Sequence, residues 1–230
     1  MTELKNQVRE LRGQGKSPKE IARELGVKPS IVAPLVRSIA AEAATDAAPA
    51  LVGAWVNTGW SAGLSIDPAR GWQDEAPVTD SIGLVSVLVA RKHGFDRMSV
   101  CGYLADVYCL GVKNTHGPVI MDEREFRAFR EYFFSDYPSW QEVPLDLAVQ
   151  IVYGSADYAS GLGFDPHEDF EGVKSHLADW EGPSAITFGR DGKPYYVSGP
   201  YDDASKVIRR LQRVVGDEFD YMILETPEED

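Results

Sequence analysis

The chain has 230 residues, 43% hydrophobic and 26% charged, with a formal net charge of −13. This is the composition of an ordinary soluble globular protein, long enough for one good core and a small appendage. No apolar run approaches the roughly eighteen residues of a membrane span, and the amphipathic, charged start MTELKNQVRE excludes a signal peptide, so a cytoplasmic protein with no membrane partner is expected.

In chain order, Leu4, Val8 and Leu11 share one face of a first helix. Ser17 is suited to cap a second, Pro18 to its first position, and Glu20 completes a capping box. Ile21, Ala22 and Leu25 form its apolar face, and Gly26 is placed to end it. A third helix is predicted from Pro29, with Ile31, Val32, Leu35, Val36 and Ile39 at helical spacing. The stretch SPKEIARELGVKPSIVAPLVR resembles the helix-turn-helix of bacterial DNA-binding regulators, over about the first forty residues. That resemblance implies a second helix laid in the major groove. Lys28, Ser30 and Arg37 are then the candidate DNA-binding residues. The helix carries no Asn or Gln and has Pro34 inside it, so phosphate contacts should outweigh base reading.

Charge is divided unevenly. Residues 1–40 hold eight basic and four acidic residues, a surplus of four positive charges, which leaves −17 for the remainder. A basic head on an acidic body suits a nucleic-acid module joined to a domain with another task, although surface charge for solubility explains the acidity equally well. The Ala-rich segment after Ile39 reads as a frayed helical extension and then a linker, placing the boundary at residues 41–50 and the body at 51–230.

In the body, Leu51–Asn57 reads as a strand, and residues 67–80 as a surface loop rich in Pro, Gly and acids. Leu84–Arg91 is a short buried strand, and His93–Asp96 a turn. Ser99–Lys113 is predicted as one long inner strand, because alternate residues on both faces are apolar. Asp122 with Glu125 caps a helix carrying Phe126, Phe129 and Phe133, and a longer helix follows Pro144 and ends near Gly161 and Gly163. Residues 185–197 read as a hairpin around Asp191-Gly192. Asp202 or Asp203 caps a last helix, and Phe219–Leu224 adds a closing strand. The sum is an α+β body with a mainly antiparallel sheet behind a small all-α head. The stretches GWSAGL, CGYLADVYCLGVKN, DYASGLGFDPHEDF and GPSAITFGRDGKPYYVSGPYDD resemble a bacterial family without an assigned activity; the resemblance implies one domain over residues 51–224 and no reaction.

Candidate chemistry is sparse. FDPHEDF brings Asp165, His167, Glu168 and Asp169 into one loop, where two carboxylates beside an imidazole suit a metal or acid–base work, but a solvated loop accounts for them more simply. Asp106 sits in apolar sequence, which more often marks a hydrogen-bonded buried acid than a catalytic one; His116 lies beyond it. Lys206, Arg209, Arg210 and Arg213 form a basic stripe at helical spacing, read first as partners for the body's own carboxylates and second as a phosphate contact. Cys101 and Cys109 read as buried, reduced thiols. No cofactor motif and no metal-ligand spacing stands out. The expectation is a DNA-associated regulator whose acidic body dimerises or senses a ligand, with a second copy of the chain as partner. The alternatives are a protein–protein adaptor and an enzyme using Asp106, Asp165 and His167.

Overall fold

Ser17 opens the head's central helix as its sequence dictates. Its hydroxyl accepts the Glu20 N–H, and the Glu20 carboxylate accepts the Ser17 N–H in return, which satisfies two otherwise orphan donors. This helix, α2 (Pro18–Glu24), lies between α1 (Thr2–Gly13) and α3 (Pro29–Asp46). At its end Gly26 adopts φ +64°, and the Val27 N–H reaches back to the Ala22 carbonyl at 3.0 Å, the bond of a Schellman cap. Val8, Ile21, Ala22 and Val32 are buried together, with Leu11, Leu25, Leu35, Val36 and Ile39 packed around them. The structure, a computed structural model, describes residues 2–46 and 49–224, with the side chains of residues 2, 13, 37 and 40–46 outside the described set. The helical extension expected after Ile39 runs as far as Asp46. The chain divides into two units, Met1–Ala50 and Leu51–Asp230.

The second unit is built on an antiparallel five-stranded sheet of β1 (Leu51–Asn57), β3 (Leu84–Lys92), β4 (Met98–Asp106), β5 (Gly111–Met121) and β6 (Trp140–Val143). The strand order is β5-β4-β3-β1-β6. Alternation divides the strands between two cores. Ala54, Val56, Val85, Val87, Val89, Cys101, Tyr103 and Ala105 face α5 (Leu145–Gly161), which contributes Leu147, Ile151 and Val152. Trp55, Leu88, Ala90, Met98 and Val100 face the other way and meet Phe126 of α4 (Glu123–Phe133). A third cluster joins Cys109, Leu162, Tyr196 and Phe219 to Leu211 of α7 (Ala204–Val215). The remaining elements are short: β2 (Ser65–Ile66), α6 (Phe170–Val173), β7 (Ile186–Thr187), β8 (Tyr195–Val197) and β9 (Asp220–Met222). The fold is α+β.

Two local expectations change. The stretch Ser99–Lys113 is not one strand: β4 ends at Asp106, the chain turns through residues 107–110, and β5 returns from Gly111 as an edge strand. The Asp106 carboxylate stops the strand by accepting the Tyr108 and Cys109 N–H groups at 3.0 and 2.9 Å, and Gly111 follows at φ +69°. The apolar pattern hid this turn because Val107, Tyr108 and Cys109 are themselves buried. Only β4 is the inner strand predicted.

The turn at Asp191-Gly192 forms, with both residues at positive φ and the Lys193 N–H donating to the Arg190 carbonyl. Its arms do not continue as a ladder. The Gly189 N–H donates to the Val107 carbonyl and the Tyr195 N–H to the Tyr108 carbonyl, so both arms are drawn onto the 107–110 turn. β7 then pairs with β2, and β8 pairs in parallel with β9.

Candidate functional site

In the head, α2, the Gly26 turn and α3 leave Lys28, Pro29, Ser30, Ile31 and Pro34 exposed at the start of the third helix. Val32 is fully buried, which fixes the rotation of that helix about its axis. Lys28 and Ser30 therefore share the exposed leading end of α3, where the Lys28 ammonium and the helix dipole favour an anion. Arg37 is on the same helix, and its side chain lies outside the described residues.

In the body, α4 covers only part of its face of the sheet. Beyond it, Asn57, Ser86, Leu104, Asn114 and His116 form the floor of a cavity of about 890 Å3. One wall is Phe133, Asp136, Tyr137 and Pro138, at the end of α4 and after it; a second is the loop from Val78 to Ile82; Arg190, Tyr195 and Met222 close a third side. Gly102 makes the hollow possible: a Cβ there would come within 2.5 Å of Phe133 Cε2.

The second wall belongs to the long acidic loop, and two side chains hold that loop in place. Asp74 accepts the Gly59 N–H at 2.9 Å and both the N–H and hydroxyl of Ser61. Gln141 accepts the Glu75 N–H and donates to the Gln73 carbonyl, each at 2.8 Å. Asn57 braces the floor by accepting the Ser86 N–H at 2.8 Å while its amide donates to the Thr58 carbonyl. The Ser86 and Tyr137 hydroxyls lie 3.0 Å apart in a mutual hydrogen bond. His116 stacks on Phe129, with ring centroids 5.2 Å apart. At the mouth, the Arg190 guanidinium sits over the Tyr195 ring at 4.9 Å and 3.9 Å from the exposed Asp80 carboxylate.

Of the acid–base candidates, the structure brings only His116 to the cavity. Asp106 is buried at the 107–110 turn, and burial raises its carboxyl to about 6 against the opposing pull of Lys113 and the turn N–H groups. Asp165 and His167 occupy a separate loop, which the His167 N–H ties to the Val112 carbonyl at 2.8 Å; His167 Nδ1 lies 3.8 Å from Asp169. Among the described residues no hydrogen bond or ion pair joins Asp106 to Asp165 or His167, and no group of three or more His, Cys, Asp or Glu is gathered to hold a metal. Burial pushes the Cys101 thiol up to about 12 and Cys109 higher still, so neither is poised as a nucleophile.

Lys206, Arg209, Arg210 and Arg213 are all exposed on α7, and among the described residues none forms an ion pair. The two carboxylates at the start of the helix are engaged otherwise: Asp202 binds Lys113 at 2.9 Å, and Asp203 caps α7 through the Lys206 N–H. That leaves the stripe exposed to solvent.

The cavity residues Ser86, Tyr137 and Asn114, and Asp74 that anchors the loop beside them, were not singled out from sequence. The available signal was Ser86 itself, a hydroxyl inside LVSVLVAR on a strand apolar on both faces. No helix among the described residues is long and apolar enough to cross a membrane. A scan against protein-family models and searches of curated proteins and of solved structures found no match to this chain.

Proposed function

We propose that this chain is a DNA-associated regulatory protein with a phosphate-contacting helix-turn-helix head and a ligand-sensing acidic body. The observation that carries the DNA half is the capped α2–Gly26–α3 arrangement, whose buried Val32 turns Lys28 and Ser30 outward at the leading end of α3. The cavity of about 890 Å3 supports the sensing half, being of the size that takes small organic molecules. The described exposed face offers no amide side chain to read bases, so affinity comes mostly from phosphates met by basic side chains.

The test is a fluorescence titration of unrelated short duplexes with the full chain at several salt concentrations. Binding that falls steeply with salt and differs little between sequences supports the reading. Absent binding removes nucleic acid as partner and leaves the adaptor reading, whereas salt-independent binding overturns the phosphate-contact mechanism.

A further inference from the structure

We infer that the body cavity recognises an uncharged, planar ring compound carrying hydrogen-bond acceptors on two opposite edges, the class of cyclic diones. The inference rests on the reading of the body as a ligand-binding domain and does not depend on DNA binding.

The floor of the cavity is a registered row across three strands. Ser86 on β3 is opposite Leu104 on β4, and Leu104 is opposite Asn114 on β5. The backbones that carry the two polar ends are thus two strand spacings apart, about 9.6 Å. An apolar side chain lies between them.

Both ends are left with donors. The Asn114 Oδ1 accepts the Thr115 N–H at 2.8 Å, and the Asn114 Nδ2 hydrogens have no partner among the described residues. At the other end Ser86 and Tyr137 have two hydroxyl protons and one mutual bond. Whichever group donates, one proton remains to be given away. His116, two residues along from Asn114, adds one ring N–H and one ring acceptor in either neutral tautomer. The floor's amide oxygens are already occupied: Asn57 Oδ1 by Ser86 and Asn114 Oδ1 by Thr115. The row therefore has donors free at both ends, with its amide oxygens already engaged.

The ligand must match this in length and in charge. Hydrogen bonds of about 2.9 Å rising from each end leave about 4–6 Å between ligand acceptors. Two carbonyls on opposite sides of one six-membered ring meet that span, with the ring face resting on Leu104. Phe133 and Ile82 supply apolar walls. The mouth carries the carboxylates Asp80 and Asp136 against the single guanidinium of Arg190, within a body of strongly negative charge, which disfavours an anion. A cation would face a floor of donors. A neutral acceptor-bearing ring satisfies both constraints.

The experiment is calorimetric titration of the full chain with 2,3-dimethyl-1,4-naphthoquinone and with 2,3-dimethylnaphthalene, which has the same carbon skeleton without the carbonyls. The quinone should bind at least tenfold more tightly. Asn114→Asp keeps the acceptor for the Thr115 N–H and replaces the free donors with a carboxylate oxygen. It should cut quinone affinity at least tenfold and leave the hydrocarbon unchanged. Leu104→Trp, placing an indole where the ring would rest, should also weaken the quinone at least tenfold, with circular dichroism confirming the fold. Equal affinity for the two compounds, or full preference retained in N114D, overturns the acceptor rule while leaving the body a ligand site. Binding of neither compound overturns the cyclic-dione inference and leaves the ligand-sensing reading standing.

Discussion

The carboxylate of Asp106 accepts the backbone N–H of Cys109 at 2.9 Å, and with the matching bond from Tyr108 it turns β4 back into β5. The group is fully buried, so it is ionised only against a desolvation cost. Its carboxyl is raised from 3.8 to about 6. The folded state therefore holds the proton more tightly than the unfolded chain, and the stability this group contributes is present below pH 4 and lost as pH rises through 6. The D106N variant removes that titration. Its stability relative to wild type should climb by up to about 3 kcal/mol between pH 4 and pH 7, at about 1.36 kcal/mol per pKa unit. Urea unfolding at a series of pH values measures it, and a pH-independent difference would contradict it.

Asp74 controls the wall of the cavity, because its carboxylate holds the turn at Gly59 and Ser61 to the long loop. Asp74→Ala should free residues 74–82 without unfolding the sheet. Each charge-assisted bond contributes about 1.5–3 kcal/mol. Amide exchange across the loop should quicken at least tenfold, while that of β3 and β4 stays at the wild-type rate.

Gly83 sits at φ +78°, and a Cβ there would meet the Tyr108 ring at 2.3 Å. Tyr108 is fixed in turn by its hydroxyl, which donates to the Ala62 carbonyl at 2.8 Å. Gly83→Ala combines a disfavoured backbone conformation with overpacking and should cost about 2–4 kcal/mol. The midpoint of chemical denaturation reads this directly.

Ser17→Ala leaves the Glu20 N–H without its side-chain acceptor and breaks the reciprocal box. A cap of this kind is worth about 1 kcal/mol. Amide exchange at Ile21 and Ala22 should rise about fivefold, with no change in the body.

Lys28→Ala with Arg37→Ala should weaken duplex binding for every sequence alike and lower the slope of log affinity against log salt by about 2. Asp165→Ala and His167→Ala should leave binding unchanged. A loss confined to one sequence would mean that these side chains read bases.

The head was legible residue by residue because its signals are local. Capping at Ser17, the αL turn at Gly26 and the spacing of Ile21, Ala22 and Val32 all act within a few residues. The same holds for the box at Asp122 and Glu125 and for the Asp191-Gly192 turn. Alternation likewise set Cys101, Tyr103 and Ala105 on one face of β4 and Val100 on the other. Hydrophobicity reports burial without saying what does the burying. That is why the apolar turn at residues 107–110 passed for strand, and why the arms of the 185–197 turn were paired with each other instead of with the distant β2 and β9.

The cavity belongs wholly to tertiary structure. Asn57, Ser86, Asn114 and Tyr137 lie scattered over eighty residues, each unremarkable alone, and become one donor-lined floor only when strand register sets Ser86, Leu104 and Asn114 in a row. Asp106, Asp165 and His167 looked alike in sequence as acid–base candidates, and packing sent one into a turn and the others to a separate loop. Sequence by itself determined the helices, the strand faces and the charge division, because those follow from local backbone preference and periodic burial. Which polar groups meet was decided by contacts between residues far apart in the chain, and no local preference encodes those.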